Sequence, residues 1–190
     1  NDDMRAEGIK ITGNKGVKWL VGSGEETTLE DESVNWVLMA SSFHWTDPKR
    51  SLPEFKRILK PGGFLTVLWN PRDLENNLLQ KKIDEIIFQI SPEITRVSSG
   101  SAKYTEGIEK TLVSTGNFTN VIFVEALHEE IMSKERYMGA WRSVNDIQAQ
   151  AGPEKFKKIL NAIEKKIQNL PEIIVPYKTR SWTSQVIKKK

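Results

Sequence analysis

One strand–helix–strand passage, residues 34–69, constrains what this chain can fold into more than any other feature. Val34 to Ala40 (Val-Asn-Trp-Val-Leu-Met-Ala) is an apolar run of strand length. It is apolar on both faces, as in a strand covered from two sides. Asp47 then offers an N-cap, Pro48 suits the first helical position, and Leu52, Phe55, Ile58 and Leu59 form one apolar stripe. Pro61-Gly62-Gly63 stops the helix, and Phe64 to Trp69 follows as a further buried strand. Two strands linked tightly through a helix pair in parallel by a right-handed crossover. The chain is therefore expected to form an α/β sheet with helices on its faces.

The flanking pattern agrees with alternation of helix and strand. Val17 to Val21 reads as a buried strand closed by Gly22-Ser23-Gly24. Leu79, Ile83, Ile86, Ile87 and Ile90 mark a helix ended by Ser91-Pro92, and Ile108 with Leu112 marks another that closes at Gly116. Val121 to Leu127 is the next strand. Ser133 caps a short helix carrying Tyr137, Trp141 and Val144 on one face, and Pro153 opens a longer one with Phe156, Ile159, Leu160, Ile163 and Ile167 inward. Tyr177 to Ile187, entered through Pro176, is the closing strand.

Length and composition narrow the function classes. A chain of 190 residues suits one domain, and 38% hydrophobic with 28% charged residues is ordinary for a soluble globular protein. No apolar run approaches the ~20 residues that span a bilayer, so no membrane partner is expected. The acidic opening Asn1-Asp2-Asp3-Met4 is unlike a secretory leader. The lack of cysteine excludes disulfides, thiolate nucleophiles and cysteine-held metals, and fits a cytoplasmic location; two histidines argue against a histidine-built metal site. The net charge of +3 equals the terminal run Lys188-Lys189-Lys190, which reads as a solvated tail, so no nucleic-acid partner is expected. The opening reads like the middle of a structural unit, with upstream sequence expected before it.

Phe43-His44-Trp45-Thr46-Asp47, Phe55-Lys56-Arg57-Ile58-Leu59-Lys60-Pro61-Gly62-Gly63 and Trp69-Asn70-Pro71-Arg72, taken in order, resemble the small-molecule class I methyltransferases. They look most like the methyltransferase-11 group and the relatives of trans-aconitate methyltransferase. The resemblance implies a Rossmann-like, doubly wound sheet of mostly parallel strands with an antiparallel last strand, its N-terminal strands and glycine-rich motif lying outside this chain. It treats residues 1–190 as a single methyltransferase domain, with residues 92–170 a helical lid and substrate region around strand 121–127. It also implies S-adenosylmethionine as cofactor and a small-molecule acceptor. Asn1-Asp2-Asp3-Met4 resembles the segment after the family's second strand, which puts Met4 on the cofactor side and the ribose-gripping acid before Asn1. Val21-Gly22-Ser23-Gly24-Glu25-Glu26 resembles the loop that faces adenine, with Ser23 where an aspartate is common; Asn35 replaces another frequent aspartate.

Ligands of open parallel sheets bind outside the carboxyl ends of the strands. Ser23, Gly24, Glu25, Ala40 and Ser41 are thus the candidate cofactor residues, together with Met4. Trp45, Trp69, Asn70 and Arg72 are candidates for the acceptor, joined by Tyr137 and Trp141 from the lid region. Methyl transfer is an in-line displacement that gains mostly from alignment in a desolvated pocket, and a hydroxyl or amine acceptor gains further from a positioned base. His44 is the candidate base; alternatively, it packs with Trp45 beneath the following helix. Arg72 either pairs with an anionic substrate or forms a structural ion pair. Tyr137 and Trp141 are either lid or core, and His128 reads as a solvated edge residue. A methyltransferase-like scaffold without chemistry, serving as a partner module, is the competing function. A dinucleotide oxidoreductase is a third reading, opposed by the Pro-Gly-Gly and His-Trp context.

Overall fold

The computed structural model describes residues 2–13, 15–95 and 105–188. Asn1 and the last two lysines of the terminal run, Lys189 and Lys190, lie outside the described residues. The order is α1 (Asp2–Thr12), β1 (Val34–Ala40), a 3-10 turn (Phe43–Trp45), α2 (Pro48–Ile58), β2 (Leu59–Trp69), α3 (Leu78–Ile90), α4 (Ile108–Val113), β3 (Phe118–Met132), α5 (Lys134–Arg142), α6 (Asn145–Ile167) and β4 (Ile173–Val186). The strands form one sheet in the order β1-β2-β4-β3.

Side chains report the strand directions. Gly63 lies against the Asn35 carbonyl, and Trp36 Nε1 donates to Thr66 Oγ1 at 2.9 Å, so position rises on both strands together and β1 and β2 are parallel. Thr66 meets Thr183 at 2.8 Å while Lys178 N donates to the Pro71 carbonyl, so β4 runs against β2. Ile187 pairs with Asn117 and Arg180 with Glu125, so β3 runs against β4. Three strands therefore share a direction and only the last opposes them. The expected Rossmann-like α/β class, with its antiparallel final strand, is what the chain forms.

The start of the central crossover helix is punctuated where the sequence places it, but the helix ends at Ile58, before Pro61-Gly62-Gly63, and Leu59 belongs to β2 rather than to its apolar stripe. Asp47 Oδ1 accepts from Lys49 N at 3.0 Å, capping α2, and Ser51, Leu52, Phe55 and Ile58 turn inward. The strand begins earlier than Phe64, because Lys60-Pro61-Gly62-Gly63 already pairs within β2, with Gly62 at φ 79°. Asn77 caps α3 by accepting from Gln80 N, and Ser133 caps α5 by accepting from Arg136 N. Gly152, at φ 70° and ψ 168°, breaks α6 just before Pro153, so the longer helical stretch does open at that proline.

Two expectations fail. Val17 to Val21 is not a strand: it is irregular, and Val17, Trp19, Leu20 and Val21 are exposed. Among the described residues no strand pairs with it, and a strand without a ladder leaves its backbone groups to water. Trp19 instead donates its indole N–H to Thr12 Oγ1 at 2.9 Å. Nor is β1 covered on both faces, since Trp36 and Leu38 are 62% and 58% exposed. β1 is a border strand of the four-stranded sheet, with one neighbour.

The chain divides into two compact units. One holds the residues up to Thr66, with Glu109–Val121 and Thr183 onward; the other holds Val67–Ile108 and Ile122–Trp182. In the second, Ile83, Ile87, Met132, Tyr137, Met138, Trp141, Ile147, Ile159, Ile163 and Ile167 form a continuous core. Ile159→Ala should lower unfolding free energy by about 2–5 kcal/mol, whereas Leu78→Ala, at a position 72% exposed, should change it by less than about 0.5 kcal/mol; urea titration followed by circular dichroism checks both.

Candidate functional site

The loop before β1 and the turn after it are joined. Ser23 Oγ accepts from the Glu25 and Glu26 amides at 3.2 Å, and Ser23 N donates to the Glu26 carbonyl, so residues 23–26 close a tight turn. Glu25 Oε1 then accepts from the Asp47 amide at 2.8 Å, and this bond holds the Glu25 carboxyl below its ordinary range. A Cβ on Gly24 would lie 2.6 Å from Thr46 Cγ2, so only glycine lets the loop approach this closely. The loop is thereby docked on the start of α2.

At the end of β1 the chain turns sharply, with Ser41 in the left-handed region at φ 48°. Phe43 anchors the turn by burial, and Thr46 Oγ1 donates to the Phe43 carbonyl at 2.9 Å. His44 and Trp45 are thus held side by side, their rings 4.8 Å apart. Burial lowers the His44 pKa from its ordinary value of 6.5, which keeps the imidazole neutral near pH 7. Trp45 is 80% exposed, so its indole is presented to solvent rather than packed beneath α2. Ala40 and Ser41 are exposed beside it. Met4 is 75% exposed on α1.

The second unit places its candidates around a cleft of about 550 Å³. Asn70 and Arg72, at the end of β2, line it with Gln80, Asp84 and Tyr177 as the polar wall; Leu74, Ile87, Phe88, Ile94 and Val144 supply the apolar one. The Arg72 guanidinium lies 5.7 Å from the Tyr137 ring centre and 5.3 Å from that of Trp141. Its Nη1 donates to Gln80 Oε1 at 2.8 Å, and Gln80 Nε2 donates onward to Asp84 Oδ1 at 2.8 Å. Tyr137 and Trp141 are themselves buried, packed edge to face at 6.3 Å, and burial pushes the Tyr137 phenol up. They are core residues that fix Arg72 and line no part of the cleft. Trp69 is fully buried against Trp182 at 5.8 Å, which takes its side chain out of a substrate's reach. His128 is an exposed edge residue, yet it stacks on the cleft residue Tyr177 with ring centres 5.3 Å apart.

Gln80, Asp84 and Tyr177 were not legible as site residues. Gln80 and Asp84 look like the solvated face of an amphipathic helix, yet Gln80 is only 1% exposed. The available signal was their i,i+4 spacing directly after the Asn77 cap, on the helix that follows Arg72. Among the described residues no group of three or more histidine and acidic side chains is placed to hold a metal ion, and no helix is long and apolar enough to cross a membrane.

Residues 2–67 match the family model of the methyltransferase domain. The methyltransferase resemblance of the β1–α2–β2 passage is thereby borne out. A Mycobacterium tuberculosis protein described as an uncharacterized methyltransferase is 52% identical over 54 residues, which are 28% of this chain and 22% of that relative. A methyltransferase-like protein of Schizosaccharomyces pombe is 29% identical over 172 residues, 86% of this chain and 63% of its own length. The chain thus spans less than two thirds of either relative. Among solved structures, a protein of Anaeromyxobacter dehalogenans assigned as a type II methyltransferase shares the fold, with a TM-score of 0.56 at 16% identity, covering 91% of this chain and 73% of that one. A protein of Anabaena variabilis, assigned as a methyltransferase from an antibiotic biosynthesis pathway, gives 0.52 at 15% identity over 87% and 72% of the two chains.

Gly24→Ala should destabilise the first unit by about 1–3 kcal/mol through overpacking against the Thr46 methyl group. Thr46→Ser removes that methyl while keeping the hydroxyl, so Gly24→Ala with Thr46→Ser should recover most of the loss; urea denaturation of the two single variants and the double variant checks the coupling.

Proposed function

We propose that the protein transfers a methyl group from S-adenosylmethionine to a small-molecule acceptor. The observation that carries this reading is the turn after β1, where a neutral imidazole and an exposed indole stand together beside a loop tied to the same helix. Both lie in or beside the stretch that matches the methyltransferase domain.

The residues of this turn fit the adenosyl part of the cofactor. Trp45 offers an exposed aromatic face for a purine, and Ala40 and Ser41 leave the strand end open. The Glu25 carboxylate is engaged by the Asp47 amide, so Glu25 acts here by holding the loop. When bound, S-adenosylmethionine supplies a methyl group on a sulfonium, an electrophile that requires alignment more than acid–base assistance. Met4, Ser23 and Gly24 complete the proposed cofactor side.

Within the second unit, the cleft around Arg72 is proposed to bind a small molecule. Arg72 is fixed by two aromatic rings and Gln80, which orients its charge toward an anionic or strongly polar head group. Leu74, Ile87, Phe88, Ile94 and Val144 suit an apolar body. Tyr137 and Trp141 act on that molecule through Arg72, and the helical region that carries them is its proposed cover. His44 takes a proton from a hydroxyl or amine acceptor; a carboxylate acceptor arrives ionised and leaves His44 only an orienting role.

Titration of S-adenosylhomocysteine into the full-length protein should saturate, and labelled methyl should appear on a small molecule. Absence of binding would remove the proposal in favour of a scaffold without chemistry. With a hydroxyl or amine acceptor, His44→Ala should lower kcat by about 100-fold while cofactor affinity changes little, the size expected for loss of a positioned base. The wild-type rate should fall only as pH drops below 6.5, where the depressed imidazole takes up its proton, and the variant should lack that limb. Equal losses in turnover and cofactor affinity would mark His44 as a support of the fold.

A further inference from the structure

The loop that leads into β1 is strained and is held by one helix. Thr28, a β-branched residue, has φ 62°, and Glu32 has φ 50°, both in the left-handed region that disfavours side chains. Such a conformation persists only where surrounding contacts fix it. Thr28 itself donates its hydroxyl to the Val21 carbonyl at 2.9 Å, and the contacts on either side of it come from α2. Glu54 Oε1 accepts from the Thr27 amide at 2.9 Å and from Thr27 Oγ1 at 2.6 Å. Arg57 binds the same carboxylate through Nε and Nη2, each at 2.8 Å, and extends Nη2 to the Leu29 carbonyl and Nη1 to Asp31. One Glu–Arg pair, a single helical turn apart, therefore fastens the loop at Thr27, Leu29 and Asp31. Lys188 adds a tie from β4's exit, donating to Glu32 and to the Arg57 carbonyl.

We propose that Glu54, supported by Arg57, is a positioning residue for cofactor binding, locking the strained segment 27–31 so that the adjoining turn at residues 23–26 keeps its binding shape. The inference rests on the reading of that turn as the cofactor side. Ser23 closes its own turn and Thr28 Oγ1 donates to the Val21 carbonyl at 2.9 Å, but nothing within residues 23–26 fixes Thr27 behind it; Glu54 does. The bonds from Arg57, and then those from Thr27, draw the Glu54 carboxyl down to about 2, so the lock is charged throughout the pH range above 4.5 and is lost only as pH falls toward 2. Neither Glu54 nor Arg57 needs to touch the cofactor, because a loop populating its binding shape only part of the time lowers affinity in proportion.

The test uses Glu54→Gln in the full-length protein, with Thr27→Val as a second variant that removes the hydroxyl's bond to Glu54 and the one it accepts from Leu29 N. Amide hydrogen exchange without ligand should accelerate across residues 23–31 in both variants while β2 keeps its protection. The Kd for S-adenosylhomocysteine should rise roughly tenfold, as for a loop competent about a tenth of the time. The KM for the cofactor should rise in step, with acceptor KM unchanged and kcat at saturating cofactor altered less than twofold. Exchange of the loop at the wild-type rate in both variants would overturn the lock, as would a loosened loop with unchanged cofactor affinity. Wild-type protein that fails to bind S-adenosylhomocysteine would overturn the methyltransferase reading instead, and the exchange data would still decide whether Glu54 holds the loop.

Discussion

The close approach of β2 to β1 at Gly63 is the constraint on which the rest of the first unit depends. A Cβ there would stand 2.9 Å from the Asn35 carbonyl oxygen, so the two strands can pair in register only through a residue without a side chain. Parallel pairing cannot be made by a hairpin, which obliges the intervening chain to cross over as α2. The helix in turn becomes the platform for everything upstream of β1. Its first turn takes Glu25 through the Asp47 amide, and its last turns take Thr27, Leu29 and Asp31 through Glu54 and Arg57. A packing requirement in the sheet is thus passed, by way of one helix, to the geometry of a loop.

Fixation in the second unit works by a different physical means. Arg72 is a charge at a strand end, and a charge left partly buried needs partners. Two buried aromatic rings and the Gln80 amide supply them, so the guanidinium is oriented by groups that carry no opposite charge of their own. The Gln80 side chain passes the connection to Asp84. The cleft consequently has a polar wall of defined direction facing an apolar one, an arrangement suited to a small molecule with two unlike ends.

The local devices of the fold were readable in the sequence where each is written in one or two residues: Asp47-Pro48, Ser133 and Pro153 act where they stand, whereas Pro61-Gly62-Gly63 pairs within β2 and α2 ends before it, at Ile58. The order of strands after Trp69 was also recoverable, although β3 and β4 begin several residues earlier than their apolar runs suggest, since pairing extends through polar residues such as Thr119 and Asn120 once a neighbour strand is present. Val17 to Val21 shows the limit: an apolar run specifies a strand only when a partner accepts its hydrogen bonds, and hydropathy carries no record of the partner. The site divided in the same way. His44 and Trp45 follow a strand directly and were visible; Gln80, Asp84 and Tyr177 converge on Arg72 from separate elements, and Glu54 and Arg57 look like any exposed ion pair on a helix until their loop partners are seen. Trp69, Tyr137 and Trp141 were expected at the acceptor, but all three side chains are buried in the core.

The central claim is that the turn at residues 23–26 and the strand end at residues 40–46 together receive the adenosyl group. Amide hydrogen exchange of the wild-type full-length protein, with and without saturating S-adenosylhomocysteine, tests it most directly. The account predicts slowed exchange in those two segments; protection confined to other segments, with both of these unchanged, would contradict it.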